Sequence, residues 1–595
     1  MTGQPPSYKQ LIEEVFIDPI RSVVVVDDQF PTPDRLLELA AGQGERSSEW
    51  QIEKARDIVR FCHGRPRPWL VEFHDGQPPL DGEEAAIADH LSQSDLMILD
   101  YHLDPKNSED GTAAIEILRR IALNEHFNLV VVYTQGSTGA AGAIERVWRE
   151  IVIALSTADS KLSCDSRELA DAESLIDELE AQQEDFAGRV REAVDDHVYL
   201  SARRVCTTTS CDWSELLQEQ QFLAPFHAAL GQTITLSPDD KARVLRWALH
   251  ERQETLQDKL SQKELGQLFW KFDGSSQVNW VRTDRLFLTV VSKREEPAEL
   301  PELLCKALRG WRPEPHRLLM SRMRTVLAEV GVQAEDEVLA NRHLQKAWFN
   351  DLQTPDPQER RWKIQATVAR QWERLGDALG EAVGEYGEKL SAWLLTNPEE
   401  ARADVLFRGL SEEDVRKHRN CYVCSKPVAG HHLITGHVLE IENDNGELEK
   451  WLCLSPACDL VPGQQKGWHE RLTGFMPFIA VELHELDAED KGCKKSARGG
   501  NYLFLKLDNE VRCFRFTPDG RDAAPRWEQM IAHRQGFCHG ESELRINRIS
   551  ARGDPDDVIV NSSAARIVGQ LRYEYALNLL HRLGATLSRV GLDFQ

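Results

Sequence analysis

The sequence predicts a multidomain protein of the α/β plus α class. We expect a doubly wound parallel sheet at the N-terminus, a long and mostly helical middle region, and a C-terminal mixed α+β domain. Three observations support this fold class. Up to residue 136, β-branched runs alternate with amphipathic helical patterns; helical periodicity prevails over 205–400; clustered cysteines and alternating apolar runs begin near residue 417.

Length and composition limit the organisation of the chain. At 595 residues it is too long for one hydrophobic core, and we expect domains over 1–204, 205–416 and 417–595. The net charge of −26 disfavours nucleic acid as a partner, because phosphate contacts need a surplus of lysine and arginine. We see no apolar run long enough for a membrane span and no signal peptide, and the twelve cysteines are irregularly spaced, so we expect a cytoplasmic protein.

The N-terminal region consists of predicted βα units. Its first predicted strand is a continuous β-branched run, which is typical of a parallel strand buried on both faces. Helices of about three turns separate the predicted strands, so the strands should be parallel. The predicted strands are SVVVVDD (22–28), PWLVEF (68–73), DLMILDYHL (95–103) and NLVVVYTQG (128–136), and two of the intervening helices are EEAAIADHL (83–91) and DGTAAIEILRRIAL (110–123).

The middle of the chain is predicted to be helical. Residues 165–196 form an acidic segment in which Leu and Ile recur every three or four positions, so it should fold as a helical hairpin or pair with a second chain in a homodimer. Residues 196–204 (DHVYLSARR) have strand character. At the other end of the chain, residues 562–590 are predicted to form a helical tail.

Three carboxylates follow two of the predicted strands. Asp27 and Asp28 end the first strand and Asp100 ends the third, and in a sheet of order 2-1-3-4-5 these strands are neighbours with their carboxyl ends at one edge. Three converging carboxylates need a hard cation, and Mg²⁺ is the usual one. A carboxylate beside Mg²⁺ can attack a phosphoryl group, and Thr134 at the end of the fourth strand would offer a hydroxyl to it. The alternative is that these are solvated strand ends of an unrelated sheet.

Four stretches, VVVVDDQ, LMILDYHL, DGTAAIEILRRI and VVVYT, occur in the order found in one family. Over residues 20–136 the chain resembles the receiver domain of two-component response regulators, in an atypical multidomain protein of bacterial type. The resemblance implies a flavodoxin-like doubly wound parallel sheet. It also implies that Asp27 and Asp28 hold Mg²⁺, that Asp100 is the phosphoacceptor and also a metal ligand, and that Thr134 is the switch hydroxyl.

The same resemblance implies a lysine at the end of a fifth strand, followed by proline. We find no such pair. Lys161, in REIVIALSTADSK, is one candidate, but that stretch is equally well a continuing helix, and residues 196–204 supply arginine instead of lysine. The missing lysine favours an alternative in which the sheet is a pseudo-receiver scaffold without phosphorylation.

The C-terminal region carries a cluster of cysteines. Cys421 and Cys424 form a C-x-x-C pair, and Cys453 and Cys458 follow about thirty residues later, a separation at which two thiolate pairs can surround zinc. We predict a structural Zn²⁺ site formed by these four residues, with His432 (or its neighbour His431) as a substitute for Cys453. Two alternatives are reduced, partly buried thiols, and a nucleophilic Cys458 with His432 as its base.

These features predict a two-component-type regulatory protein. Its receiver would take a phosphoryl group from a histidine kinase or another phosphodonor, and would control an output that acts through protein contacts rather than DNA. We expect no enzymatic activity beyond self-phosphorylation on aspartate. The other alternative is a metal-dependent hydrolase or nuclease with its chemistry in the C-terminal region, although we find no H-E-x-x-H, G-x-S-x-G or P-loop motif.

Overall fold

The computed structural model describes residues 6–587 with internal gaps. Apart from the two ends, the residues that it does not describe are 44–49, 77–93, 104–109, 135–142, 209–212, 214–215, 218–220, 232–235, 274–277, 402–406, 408, 444, 464–470, 488–496, 498–499, 519–523, 541 and 552–557. The chain divides into two compact units, residues 1–328 with 381–397 and residues 329–380 with 398–595. In the described part of the chain, no helix combines the length and the apolar character that a membrane crossing requires.

A seven-stranded sheet forms the centre of the first unit. Its strands lie in the order β2-β1-β3-β4-β7-β6-β5, and the first five of these are parallel. Strands β5 and β6 form an antiparallel hairpin that extends the sheet beyond β7. The strands are β1 (Ser22–Val26), β2 (Leu70–His74), β3 (Leu96–Asp100), β4 (Asn128–Thr134), β5 (Phe269–Asp273), β6 (Val278–Arg282) and β7 (Leu286–Ser292).

Helices cover both faces of this sheet. Most of them lie between β4 and β5, where a long helical region interrupts the alternation of strands and helices. The helices of the first unit are α1 (Tyr8–Ile12, continued by a π-helical turn over Glu13–Ile17), α2 (Pro33–Ala40), α3 (Ile52–His63), α4 (Thr112–Leu123), α5 (Ala143–Leu155), α6 (Ser166–Glu180), α7 (Phe186–Ala193), α8 (Asp196–Thr208), α9 (Ala224–Leu230), α10 (Pro238–Thr255) and α11 (Leu300–Trp311). The boundary between the units falls within α12 (Pro315–Ala340) and α14 (Pro357–Thr396).

Two hydrophobic cores lie on the two faces of the sheet. Alternate residues of strands β1, β3, β4 and β7 enter opposite cores, as the two-residue period of a strand requires. Val24 and Val26 join the core formed with α4, α5 and the helical region, whereas Val23 and Val25 join the core formed with α1, α3 and α11. This double burial explains why β1 and β3 contain continuous apolar runs in the sequence.

The four strands predicted near the N-terminus are confirmed, together with the order 2-1-3-4-5. The fifth parallel strand, β7, lies in the region predicted to be helical, so the sheet extends well past residue 204. Residues 196–204 belong to helix α8 rather than to a strand, because Val198, Ala202 and Cys206 are buried at helical spacing. The helix predicted at 83–91 lies outside the described residues.

The acidic segment at 165–196 packs inside its own unit. It forms α6, α7 and the start of α8, and its apolar residues, among them Ile176, Leu179 and Val190, belong to the core beneath the sheet. Since that apolar face is covered by the same chain, the structure does not support a homodimer through this segment.

The second unit is built around an antiparallel barrel. Six strands follow one another in the order β10-β9-β16-β15-β14-β11, and pairing of β10 with β11 closes the barrel. Strands β13 and β12 extend it beyond β11, and β8 pairs with β16. The strands are β8 (Ser425–Lys426), β9 (His437–Glu442), β10 (Leu448–Cys453), β11 (Phe475–Leu486), β12 (Tyr502–Leu507), β13 (Glu510–Arg515), β14 (Trp527–His533), β15 (Glu543–Ala551) and β16 (Val558–Leu571).

Helices α13 (Arg342–Leu352), α15 (Pro398–Ala401), α16 (Glu412–Cys424) and α17 (Tyr573–Leu587) complete the second unit. The helical tail predicted over 562–590 is therefore half wrong, because residues up to Leu571 belong to strand β16. There Ala565 and Ile567 are buried in the barrel at a spacing of two, which is strand periodicity. The mixed α+β character predicted for the C-terminal region is confirmed.

Candidate functional site

The three predicted carboxylates meet at the carboxyl edge of the parallel sheet. Asp27 and Asp28 follow β1, Asp100 is the last residue of β3, and β1 and β3 are adjacent strands. One carboxylate oxygen from each lies within 4.8 Å of the other two. Elsewhere among the residues that the structure describes, no group of three or more histidine, cysteine or carboxylate ligands comes together in this way.

Local backbone contacts fix the direction of two of these carboxylates. Oδ1 of Asp27 accepts a hydrogen bond from the backbone N–H of Gln29 (2.9 Å), and Oδ1 of Asp100 accepts one from the N–H of His102 (3.2 Å). Both are turns in which an aspartate side chain caps its own loop two residues on. The Oδ2 atoms of both residues are thereby left to face the same neighbour.

That neighbour is Lys293, the residue that follows β7. Its Nζ donates to Oδ2 of Asp100 at 2.5 Å and to Oδ2 of Asp27 at 3.1 Å. The side chains of Lys293, Asp27 and Asp100 are 15%, 9% and 2% exposed, so the cation and both carboxylates are largely withdrawn from water. An ion pair with this little exposure holds a defined geometry.

Burial and charge act in opposite directions on Asp100. Burial raises the pKa of its carboxyl group to about 7, Lys293 opposes that rise, and Asp27 adds to it. Burial by itself would lower the pKa of Lys293, but the two carboxylates outweigh it and raise that pKa. Asp100 therefore depends on a nearby cation to stay ionised near neutral pH.

Thr134 lies at the neighbouring strand end. It is the last residue of β4, is buried, and lies opposite Ser292 in the pairing of β4 with β7. Its carbonyl oxygen accepts a hydrogen bond from the backbone N–H of Lys293 at 2.8 Å. The sheet thus brings the predicted threonine and this unpredicted lysine to adjacent positions at the edge that carries the carboxylates.

A cavity of about 200 Å³ opens beside this cluster. Asp27, Asp100 and Lys293 line its polar side, and Phe30 and Ile58 contribute to its apolar side. The cavity therefore reaches Asp27, Asp100 and Lys293, although these charged groups are mostly buried.

Residues 19–183 match the family model described as Response receiver domain. The chain carries a response receiver domain at its N-terminus. The match covers β1 to β4 and continues into the helical region, but it ends before β7 and Lys293. No curated protein and no solved structure gave a match in the other two comparisons.

The sequence does contain a signal for Lys293. LFLTVVSK (286–293) is a mostly apolar run that ends in lysine, as a fifth receiver strand should. Two departures hide it: Arg294 follows in place of proline, and a long helical region with the β5–β6 hairpin separates this run from β4. Lys161, by contrast, lies away from the site and donates from Nζ to the carbonyl of Cys206.

The structure does not support the zinc site predicted in the C-terminal region. Cys424 ends helix α16 and its Sγ is hydrogen-bonded to the backbone of Phe504, whereas Cys453 lies in the interior of the barrel. Cys458 is exposed on a 3-10 turn. The spacing in the sequence could not show that these cysteines belong to separate clusters.

Cys421 and His432, which also belong to that predicted set, do not complete a metal site either. Cys421 lies one turn before Cys424, with its Sγ 3.3 Å from the hydroxyl of Ser425. His432 donates from Nε2 to the carbonyl of Gln535 at 2.9 Å, and burial lowers its pKa to about 4. His432 therefore helps to hold the barrel together as a neutral ring.

Proposed function

We propose that this protein is a two-component-type regulator that is phosphorylated on Asp100 and that acts on a protein partner through its other regions. The observation that carries the proposal is the ion pair from Lys293 to both Asp100 and Asp27. Lys293 is the cation that we did not find in the sequence, and its absence was the main argument for a pseudo-receiver scaffold. With Lys293 at the site, the scaffold alternative loses that argument.

Asp27, Asp28 and Asp100 are suited to hold Mg²⁺. They offer carboxylate oxygens, which are the ligands that this hard cation prefers, and their oxygens lie within 4.8 Å of one another. A bound Mg²⁺ would neutralise charge on the phosphoryl oxygens during transfer.

In the proposed reaction, an oxygen of the Asp100 carboxylate attacks the phosphorus of the phosphodonor. The P–O bond of the aspartyl phosphate forms while the bond from phosphorus to the leaving group breaks, and the leaving group departs with the electron pair. With a histidine kinase the leaving group is an imidazole nitrogen, and with acetyl phosphate it is acetate. Asp100 must be ionised to attack, and Lys293 favours that state.

Lys293 and Thr134 then face the new phosphoryl group in this proposal. The lysine cation would exchange one carboxylate partner for a phosphoryl oxygen, because the esterified carboxylate loses its charge while the phosphoryl group brings nearly two negative charges. The hydroxyl of Thr134, on the adjacent strand end, would donate a hydrogen bond to the same group. Both changes would alter contacts between β4 and β7.

Phosphorylation can be tested with acetyl phosphate and Mg²⁺, followed by a phosphate-affinity gel. The wild-type chain should give a shifted band that EDTA abolishes, and Asp100→Asn should give none. Asp95→Asn is a matched control, because Asp95 precedes the same strand at its opposite end and accepts backbone hydrogen bonds from Arg21 and Ser22 that an asparagine oxygen can keep. Equal labelling of wild type and Asp100→Asn would disprove the assignment.

A further inference from the structure

Tyr101 connects the phosphoacceptor strand to the helical region that interrupts the receiver domain. It directly follows Asp100 and is only 1% exposed. Its hydroxyl donates a hydrogen bond of 2.6 Å to Oε2 of Glu150, which lies on helix α5. A carboxylate oxygen can only accept, so the tyrosine hydroxyl is the donor in this contact.

The ring of Tyr101 has little freedom to move independently of its neighbours. On one side it packs against Gly111 so closely that a Cβ at that position would lie 2.0 Å from Cζ of the tyrosine. The ring of His102 makes an edge-on contact with it, at 5.1 Å between centroids. A displacement of the backbone after Asp100 must therefore move this ring, and with it the contact to Glu150.

Helix α5 is placed to receive such a displacement. It packs against β4, which ends in Thr134, and against β7, which ends next to Lys293. The indole N–H of Trp148 on α5 also donates to the carbonyl of Trp280 on β6, at 3.4 Å. Helix α5 therefore contacts Tyr101, which follows Asp100, and the two strands β4 and β7. Thr134 ends β4 and Lys293 follows β7, so all three groups around the proposed phosphoryl position lie next to elements that touch this helix.

The helical region that α5 opens shares a single core with Tyr101. Buried residues from α5 to α10, among them Ile151, Phe226 and Leu245, belong to the same hydrophobic cluster as Tyr101 and Leu99. Closely packed cores transmit small shifts because they cannot deform continuously. A change at Asp100 consequently has a continuous path into this region.

We propose that Tyr101 and Glu150 form a relay through which phosphorylation of Asp100 changes helix α5. The inference rests on the proposed function and goes beyond it by naming the side chains that carry the change. In the unphosphorylated state Oδ1 of Asp100 accepts from the N–H of His102 and Oδ2 accepts from Lys293, so esterification of either oxygen changes a contact of the residue that precedes Tyr101.

The test compares hydrogen exchange of residues 143–155 in the full chain, with and without Mg²⁺ and beryllofluoride, a mimic of the aspartyl phosphate. In the wild type the exchange rate of this helix should change at least threefold. In Tyr101→Phe, which keeps the ring in the core, the change should fall to less than a third of the wild-type value, while acetyl phosphate labelling stays within twofold.

Tyr133→Phe is the matched control, because it removes the hydroxyl of a β4 tyrosine whose contact is the carbonyl of Glu295 rather than α5. It should keep the full exchange response. A full response in Tyr101→Phe, or an equal loss in both variants, would overturn the relay. A labelled wild type with no exchange change in α5 would overturn the relay alone, whereas a wild type that is not labelled would overturn the proposed function as well.

Discussion

Replacing Lys293 by methionine should destabilise the first unit. It should also make the stability of that unit depend on whether Asp100 is ionised. Methionine keeps a long unbranched side chain but leaves two buried carboxylates facing each other without a cation. Asp100 and Asp27 are 2% and 9% exposed, so water can replace the lysine only in part. We expect the free energy of unfolding of the first unit to fall at pH 8.

The size of the effect follows from the geometry. At separations of 2.5 and 3.1 Å and an effective dielectric constant of about 20, each ion pair contributes roughly 5 to 7 kcal/mol of Coulomb attraction. The desolvation of Lys293, which the variant no longer suffers, offsets a large part of this. The net loss should be about 3 to 5 kcal/mol, the range observed when one member of a buried ion pair is removed.

The stability loss caused by Lys293→Met should depend on pH and should be smaller at low pH. The pKa of Asp100 is already raised to about 7, and removing Lys293, which opposes that rise, should raise it further. Below that pKa the carboxyl group is neutral and tolerates burial, so the loss of stability should shrink as the pH falls from 8 to 5.5. Adding Asp100→Asn to the lysine variant should recover a large part of the loss at pH 8.

Native-state hydrogen exchange of the amides of β3 and β4 measures this, because it reports the free energy of opening for the first unit separately from the second. The four chains are the wild type, each single variant and the double variant. If Lys293→Met is as stable as the wild type at pH 8, or if Asp100→Asn fails to restore stability in the double variant, the ion pair does not have the role described.

Three further predictions concern other parts of the chain. Gly111→Ala should destabilise the first unit by about 3 kcal/mol in thermal unfolding, because its Cβ would lie 2.0 Å from Tyr101. Burial lowers the pKa of His432 and of His437 to about 4, so below pH 6.5 the unfolded state binds more protons than the folded state. As the pH falls from 7 to 4, the free energy of unfolding of the second unit should therefore fall by up to about 3 kcal/mol per histidine. Hydrogen exchange measures this loss. Iodoacetamide should alkylate exposed Cys458 but not Cys453 in the native protein, with or without EDTA, as peptide mass spectrometry will report.

Each of these has a clear contrary result. Gly384→Ala is the control for Gly111→Ala, because a Cβ at Gly384 would meet no atom within 4 Å beyond its own stretch of helix backbone. Equal stability of the two variants would rule out the close packing of Tyr101. A second unit whose stability is constant between pH 7 and 4 would show that the two histidines are not held as neutral rings. Exposure of Cys453 by EDTA would revive the zinc site.

The parallel strands were predictable because burial on both faces leaves a direct trace in the sequence. SVVVV and LMIL have no charged residue to interrupt them, and each is followed by an aspartate at the ligand-binding edge of the sheet. Strand β7 leaves the same trace, but its distance from β4 is set by the helical region between them. Local periodicity contains no information about which distant run completes a sheet.

The errors in the C-terminal region have a related cause. Residues of β16 such as Ala565 and Arg566 have ordinary helical propensity, and only their pairing with β15 and β9 makes them a strand. The positions of Cys424 and Cys453 depend in the same way on which cluster each residue enters. In both cases contacts between residues distant in sequence determined the structure, and the local sequence pattern did not predict it.

The most direct test of phosphorylation on Asp100 is the position of the phosphoryl group on the chain. Treatment with acetyl phosphate and Mg²⁺, reduction of the acyl phosphate by borohydride, and peptide mass spectrometry locate the modified residue as homoserine. We predict homoserine at position 100 in the wild type. Modification at another aspartate, or none anywhere in a chain that binds Mg²⁺, would contradict the proposed role of Asp100.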